Sequence, residues 1–375
     1  SMESDNKLFL LDAYALIYRA YYAFIKNPRI NSKGFNTSAI LGFVNTLEEV
    51  LKKENPSHIG VAFDPSGPTF RHEAFEQYKA QREETPEAIR LSVPIIKDII
   101  HAYRIPILEV AGYEADDVIG TLATEAGRQG ITTYMMTPDK DYGQLVTDNV
   151  FMYRPKHTGG FEVMGIEEVK AKFDIQSPAQ VIDMLGLMGD ASDNIPGCPG
   201  VGEKTAQKLI AEFGSIENLL EHTDQLKGAL KTKVETNKEL ITFSKFLATI
   251  KIDVPIQLEM DKLVREQADE DSLRRIFEEL EFRTLIDRVL KKENSAGGVT
   301  TATGSKTATT KSAPSPLPLF PEEGGAIQGD LFASFTGNEA GEAKKSNLET
   351  LETLSCDYQL SSPAPAKVLS SFTPV

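Results

Sequence analysis

Three short apolar runs that lead into aspartates constrain this chain more than any other feature. Lys7-Leu8-Phe9-Leu10-Leu11-Asp12 is the first and His58-Ile59-Gly60-Val61-Ala62-Phe63-Asp64 the second. Thr132-Thr133-Tyr134-Met135-Met136-Thr137, which leads through Pro138 to Asp139, is the third. Apolar runs of this length read as buried strands. Segments with helical periodicity separate them, around 37–54, 86–103 and 114–129. Strand–helix–strand repetition implies an α/β fold, a mostly parallel sheet with helices on both faces. Ligands of such a sheet bind in the crevice beyond the carboxyl ends of its strands. Asp12, Asp64 and the Asp139/Asp141 pair all fall there.

A single Asp after a strand reads as a turn or helix cap. Here the acids multiply. Gly112-Tyr113-Glu114-Ala115-Asp116-Asp117-Val118-Ile119-Gly120 places three carboxylates ahead of an apolar helix, more than an acidic first turn explains. Gly189-Asp190-Ala191-Ser192-Asp193-Asn194 adds two, three positions apart and so facing the same way on a helix or tight turn. Asp12, Asp64, Glu114, Asp116, Asp117, Asp139, Asp141, Asp190 and Asp193 gathered in one crevice would raise each other's pKa. Divalent cations resolve that conflict. A shell of carboxylate oxygens without His or Cys suits Mg²⁺ or Mn²⁺ rather than Zn²⁺. Two such ions about 4 Å apart can activate a water and stabilise the leaving oxygen in phosphodiester hydrolysis.

The net charge of −15 argues against a nucleic-acid binder unless the acids are concentrated where cations neutralise them. The chain of 375 residues, 41% hydrophobic and 25% charged, is long enough for two globular domains and a tail. Strand signals fade after residue 160, and amphipathic helices such as Pro178–Gly189, Glu203–Phe213 and Asp271–Leu280 suggest a helical second domain. From about 293, Gly, Ser, Thr, Ala and Pro dominate, as in a flexible linker or tail. Cys198 and Cys356 form no CxxC or zinc spacing, which fits a reducing cytoplasm. No apolar run reaches membrane-spanning length.

Pro196-Gly197-Cys198-Pro199-Gly200-Val201-Gly202-Glu203-Lys204-Thr205-Ala206 leads into a helix, and such glycines expose backbone N–H groups to a phosphate. Gly197 and Gly202 have the spacing of a P-loop. Glu203 stands where that motif requires Lys, and no strand precedes it, so an NTPase is disfavoured.

Leu11-Asp12, Phe63-Asp64-Pro65, Gly112–Asp117, Thr137-Pro138-Asp139-Lys140-Asp141 and Gly189–Asn194 together resemble the 5′ nuclease (5′-3′ exonuclease) domain of bacterial DNA polymerase I, within the flap endonuclease family. The resemblance covers roughly residues 7–290. It implies a PIN-like catalytic domain over 7–175, with a helical arch at about 68–104. It further implies a helix-hairpin-helix domain over 176–290 and a linker over 291–375. Two metal sub-sites are implied: Asp12, Asp64, Glu114 and Asp116 around the catalytic ion, with Asp117, Asp139, Asp141, Asp190 and Asp193 forming or supporting the second. Arg71, Lys79 and Arg82 would contact phosphates beneath the arch, and Lys79 or Arg82 would stabilise transition-state charge. Arg19 would bind a phosphate, one aromatic of the Tyr18–Phe24 stretch would stack on a base, and Tyr22 and Lys140 join the DNA-binding set. Gly197, Gly200, Gly202, Lys204, Thr205 and Lys208 would grip duplex backbone without reading bases, around a K⁺ ion.

The resemblance implies a structure-specific nuclease acting on DNA with a 5′ flap, nick or 5′ end and on RNA–DNA primer junctions, in lagging-strand maturation and repair in the bacterial cytoplasm. In the tail, Gln328-Gly329-Asp330-Leu331-Phe332 resembles a sliding-clamp docking peptide, with Gln328, Leu331 and Phe332 as its contacts, and Pro316–Phe320 is a poorer candidate. The resemblance implies a proofreading-like and then a polymerase domain after the linker; Leu351–Leu360 would begin one, and no polymerase stands before Val375, as expected of a truncated longer protein or of a stand-alone nuclease. Two other readings compete. A PIN-like ribonuclease shares acid-tipped strands, but such proteins are shorter and lack the Gly197–Thr205 element. A non-catalytic junction-binding module tethered to the clamp would not need the complete acid set.

Overall fold

The computed structural model describes residues 5–80, 82, 84–156 and 158–290. Gln328, Leu331, Phe332 and the rest of the 291–375 tail lie outside the described residues. A six-stranded sheet runs in the order β3-β2-β1-β4-β5-β6. Its strands are β1 (Lys7–Asp12), β2 (His58–Ala62), β3 (Ile107–Leu108), β4 (Thr132–Met136), β5 (Val150–Pro155) and β6 (Phe161–Met164). All neighbours pair in parallel except β5 with β6. The order reverses beside β1, so the crevice beyond β1, β2 and β4 is the switch point at which open sheets bind ligands.

β1 shows why the sheet is central. Leu8 and Leu10 point into one core layer, with Val118, Ile119 and Leu122 of the helix Ala115–Arg128. Phe9 and Leu11 point into the other, with Ile17, Phe43, Leu47 and Ile96. Successive strand residues face opposite sides, and a strand covered on both faces must be apolar throughout.

Three expectations change. The helix Glu87–Ala102 is not part of an arch: Ile89, Ile96, Ile99 and Ile100 are fully buried in the second core layer. Among the described residues of the predicted arch, those that reach the acids of the crevice are Arg71 of the short helix Phe70–Ala74 and Tyr78, Lys79 and Arg82 beyond it. Strand structure also persists past residue 160, because β6 closes the sheet as an antiparallel edge whose Val163 is exposed. An edge strand has only one neighbour and carries a weak apolar signature.

The region after residue 176 does not form one helical unit to residue 290. Val181–Met188, Glu203–Phe213, Ile216–Glu221, Gly228–Thr236 and Lys238–Ala248 pack together. The chain then returns to the sheet: Arg265 N–H donates to Ser57 O at 2.9 Å and Asp269 N–H to Ala102 O at 2.7 Å. Helices Glu270–Glu279 and Arg283–Leu290 bury Leu273, Phe277, Leu285 and Ile286 in the same core layer as Phe9 and Ile96. Amphipathic periodicity marks a helix but not the surface it covers. Among the described residues, no helix is long and apolar enough to cross a membrane.

Candidate metal centre and nucleic-acid interface

Each acid is placed by local chain geometry. Asp12 ends β1 and caps the helix Ala13–Ala23, and its Oδ2 accepts from Tyr142 Oη at 2.9 Å. Asp64 follows β2, and its Oδ1 accepts from Ala115 N–H at 2.7 Å, joining that loop to the helix Ala115–Arg128. Glu114 caps the same helix, with Asp116 and Asp117 in its first turn. Asp139 caps the 3-10 turn Lys140–Leu145, and its Oδ1 accepts from Asp141 N–H at 3.0 Å. Asp190 and Asp193 come from the helical half, on a loop closed by the Asp190–Ile195 bridge. Asp190 Oδ1 accepts from Ser192 N–H at 3.0 Å and Ser192 Oγ at 2.7 Å.

Two groups result. Glu114, Asp116 and Asp117 bring one oxygen each within 4.8 Å of one another, as do Asp141, Asp190 and Asp193. Among the described residues, each group holds a buried carboxylate oxygen without a hydrogen-bond partner, Asp116 Oδ1 in one and Asp141 Oδ1 in the other. An unpaired, desolvated carboxylate oxygen is costly. Burial, with Asp117 alongside, holds the Asp116 carboxyl well above its usual range, and burial with Asp139 does the same to Asp141. Asp12 is pushed up to about 7 by burial and then by Asp64. Asp139 rises to about 6, by burial and then Asp193. Glu114 moves the other way, to about 2, because Lys79 and Arg71 outweigh its burial. Orphaned oxygens among mutually repelling carboxylates fit hard divalent cations.

Lys79 and Arg82 bridge the two groups. Lys79 Nζ lies 2.5 Å from Glu114 Oε1, and Arg82 Nη2 lies 2.5 Å from Asp193 Oδ1. Lys79 N–H donates to Asp193 O at 3.0 Å, and Asn194 Nδ2 donates to Gln77 O at 2.7 Å. Lys79 itself takes a left-handed φ of +58°. The segment therefore lies across the crevice, and both cations remain partly exposed.

Several predicted contacts are placed differently. Arg71 is not at a phosphate-facing surface: it is 1% exposed, and its guanidinium is directed at Glu114, Asp117 and two backbone carbonyls. Asp117 is fully buried against it, with both oxygens engaged. Arg19 is buried too, its Nη2 3.4 Å from Lys156 O, and desolvation lowers its pKa to about 10. Lys140 is buried, where its charge offsets part of the rise that burial gives the carboxyls of Asp141 and Asp190. Tyr22 is half-buried, its ring 5.1 Å from that of Tyr21 and 6.4 Å from that of Tyr18.

The glycine turn divides similarly. Gly197 N–H donates to Ser244 Oγ at 2.9 Å and so does not face solvent. A Cβ on Gly197 would stand 2.3 Å from Gly189 N, so this glycine permits close approach to the loop that carries Asp190. Gly200, Gly202, Lys204 and Lys208 are exposed and Thr205 half-buried, at the start of the helix Glu203–Phe213. Sequence reasoning missed Tyr142, Ser244 and Tyr78, a buried side chain whose Oη donates to both carboxylate oxygens of Glu114 at 3.2 Å. Tyr142 sits one residue beyond Asp141, and an aromatic directly after the acidic pair was the available signal.

Residues 7–174 match the family model of the 5′-3′ exonuclease N-terminal, resolvase-like domain, and residues 176–271 match that of the 5′-3′ exonuclease C-terminal SAM fold. DNA polymerase I of Bacillus subtilis is 43% identical over 291 residues, 77% of this chain and 33% of that protein. DNA polymerase I of Mycobacterium tuberculosis is 35% identical over 347 residues, 92% of this chain and 37% of its own length. The chain thus spans about a third of the length of these relatives. The T5 5′-exonuclease with bound zinc superimposes with a TM-score of 0.55 at 21% identity, covering 74% of this chain and 99% of that one. The catalytic core of Rad2 in complex with DNA substrate gives 0.51 at 18% identity, covering 73% and 87%. At these identities the likeness shows a shared fold.

Proposed function

The chain belongs to the 5′-3′ exonuclease family, and from that premise we propose that it is a divalent-metal-dependent 5′ nuclease. In this reading it hydrolyses phosphodiesters of DNA, and of RNA primers on DNA, at a 5′ end or at the junction between a 5′ flap and a duplex. The observation that carries the reading is the pair of acid groups at the switch point, each with a buried carboxylate oxygen that lacks a partner. Asp12, Asp64, Glu114 and Asp116 would hold one ion, and Asp139, Asp141, Asp190 and Asp193 the other. Bound there, two Mg²⁺ or Mn²⁺ ions would supply an activated water and charge neutralisation at the leaving oxygen.

The chain's own residues do the rest. Lys79 and Arg82 stand at the rim on carboxylates that cations would neutralise, which leaves both side chains available to a scissile phosphate. Tyr142 and Thr137 hold Asp12 at the end of β1. The exposed Gly200, Gly202 and Lys204 of the glycine turn and Lys208 bind the phosphates of the duplex through backbone and side chain, without base specificity, and a K⁺ ion is expected at this turn. Such local contacts make the overall charge of −15 compatible with DNA binding. Removal of primers and displaced flaps is the implied role.

The test is cleavage of an end-labelled 5′-flap DNA in Mg²⁺ and in EDTA, by wild type and by Asp139→Asn/Asp141→Asn. Junction cleavage that needs both the metal and the two acids is the expected result. Tight junction binding without cleavage in Mg²⁺ or Mn²⁺ would replace the nuclease with a binding module.

A further inference from the structure

We propose that Arg71 and Asp117 are positioning residues, a buried pair that fixes Glu114 for metal ligation and ties it to the helical half. The proposal rests on the nuclease reading through one point, that Glu114 is a ligand. Arg71 has five N–H donors, and the structure uses five. Nε donates to Leu247 O at 3.0 Å. Nη1 donates to Glu114 Oε2 at 2.5 Å and Asp117 Oδ2 at 2.8 Å. Nη2 donates to Asp117 Oδ1 at 2.8 Å and Thr249 O at 2.6 Å. Nothing is left for a phosphate.

Asp117 is saturated in the same way. Its Oδ1 also accepts from Lys251 N–H at 2.8 Å, and its Oδ2 from Glu114 N–H at 3.1 Å. Each oxygen thus accepts two hydrogen bonds, the capacity of a carboxylate oxygen. Asp117 is therefore the counter-ion of Arg71, although it stands next to Asp116 in sequence. The two residues are successive on a helix, so one faces the crevice and the other faces Arg71.

The consequence for Glu114 is directional. Its Oε2 is pinned by the buried guanidinium, while its Oε1 faces Lys79, whose side chain is partly exposed, and Tyr78 Oη donates to both oxygens at 3.2 Å. Arg71 thus anchors one oxygen and leaves the other turned toward the rim, where a cation can replace the ammonium. A guanidinium can do this because its donors form a rigid planar fork, which an ammonium lacks. Leu247 lies in the last turn of the helix Lys238–Ala248 and Thr249 just beyond it, where carbonyls lack intrahelical partners and a cation is favoured. The same helix carries Ser244, which holds Gly197 of the glycine turn. Arg71 thus fixes a carboxylate of the metal centre to the helix that supports the duplex-facing turn.

Calorimetric titration of Mn²⁺ into the DNA-free protein tests this, using wild type, Arg71→Lys, Asp117→Asn and the ligand variant Asp116→Asn, each first shown to be folded by circular dichroism. Arg71→Lys and Asp117→Asn should bind as many ions as wild type but roughly 10–100-fold more weakly, as when the partners of metal ligands are removed. Asp116→Asn should lose one ion. In single-turnover cleavage, the Mg²⁺ concentration for half-maximal rate should rise by a similar factor in Arg71→Lys and Asp117→Asn. Loss of one ion in Asp117→Asn would make it a ligand and overturn the proposal. So would wild-type affinity in folded Asp117→Asn, which decides the matter alone if Arg71→Lys does not fold. A wild-type protein that binds no metal would instead overturn the nuclease reading above.

Discussion

The two acid groups of the crevice are built in opposite ways. The group at Glu114 and Asp116 comes from a single helix N-terminus and is locked from behind by a saturated, buried arginine. The group at Asp141, Asp190 and Asp193 is assembled from a 3-10 turn after β4 and a loop of the helical half; the buried Lys140 acts on it through its charge, and the cation paired with it at the rim, Arg82, is partly exposed. The first is held by structure that exists before any ligand arrives. The second joins the two halves of the molecule, so its geometry depends on how they sit together. A buried arginine is a brace, whereas an exposed one can be exchanged for substrate. Charge sign does not separate these roles, but burial and donor saturation do.

The comparison breaks first at the ligands. Asp116→Asn and Asp141→Asn each remove a carboxylate whose orphaned oxygen is unsatisfied without a cation. Each should cost several kcal/mol of transition-state stabilisation, a rate loss of roughly a thousandfold or more in single-turnover cleavage. Near-wild-type rates in either variant would remove that group from the chemistry.

The second contrast is in stability. Arg71→Ala leaves Asp117 buried without its counter-ion and should destabilise the protein by about 3–5 kcal/mol in urea unfolding. Arg82→Ala removes a partly exposed pair and should cost less than about 1 kcal/mol, while lowering the cleavage rate. Equal losses would show that the two arginines do the same work.

The third is a pH dependence. Asp12 and Asp139 titrate at about 7 and about 6 in the folded protein, both above the ordinary 3.8. The folded state therefore binds more protons than the unfolded one, and their contribution, full below about pH 4, is lost as pH rises toward 7. Glu114, at about 2, contributes above its ordinary 4.5 and loses that contribution as pH falls. The metal-free protein should thus be most stable in weak acid. Mg²⁺ should raise its melting temperature more at about pH 8 than at about pH 5, and the reverse order would contradict the cause given for the raised carboxyls.

The smallest effect sharpens the contrast between crevice and duplex grip. Lys204→Ala and Lys208→Ala should each lower the slope of log affinity against log salt by about one, with little change in single-turnover rate at saturating enzyme. Measured binding at several salt concentrations checks this.

Much of this was legible in the sequence. Leu8–Leu11 and Ile59–Phe63 are buried from both sides, which leaves unbroken apolar runs, and the aspartates beyond them mark the crevice. What was not legible depended on distant partners. Arg71 and Lys79 sit in the same mixed-charge stretch, and what separates them is a pair of carbonyls at Leu247 and Thr249, about 176 residues away. Asp116 and Asp117 look interchangeable until Lys251 N–H is placed on one of them. β3 is two residues long, below the length at which a periodicity can be read. The helices after residue 270 announced their periodicity, but not that Phe277 would join the core layer of Phe9.

Anomalous scattering from crystals of the wild-type protein soaked in Mn²⁺ tests the central claim most directly. Two peaks are expected in the crevice, one against Glu114 and Asp116 and one among Asp141, Asp190 and Asp193, with Asp117 in contact with neither. Absence of a peak at either group, with the ion bound elsewhere, would contradict the account.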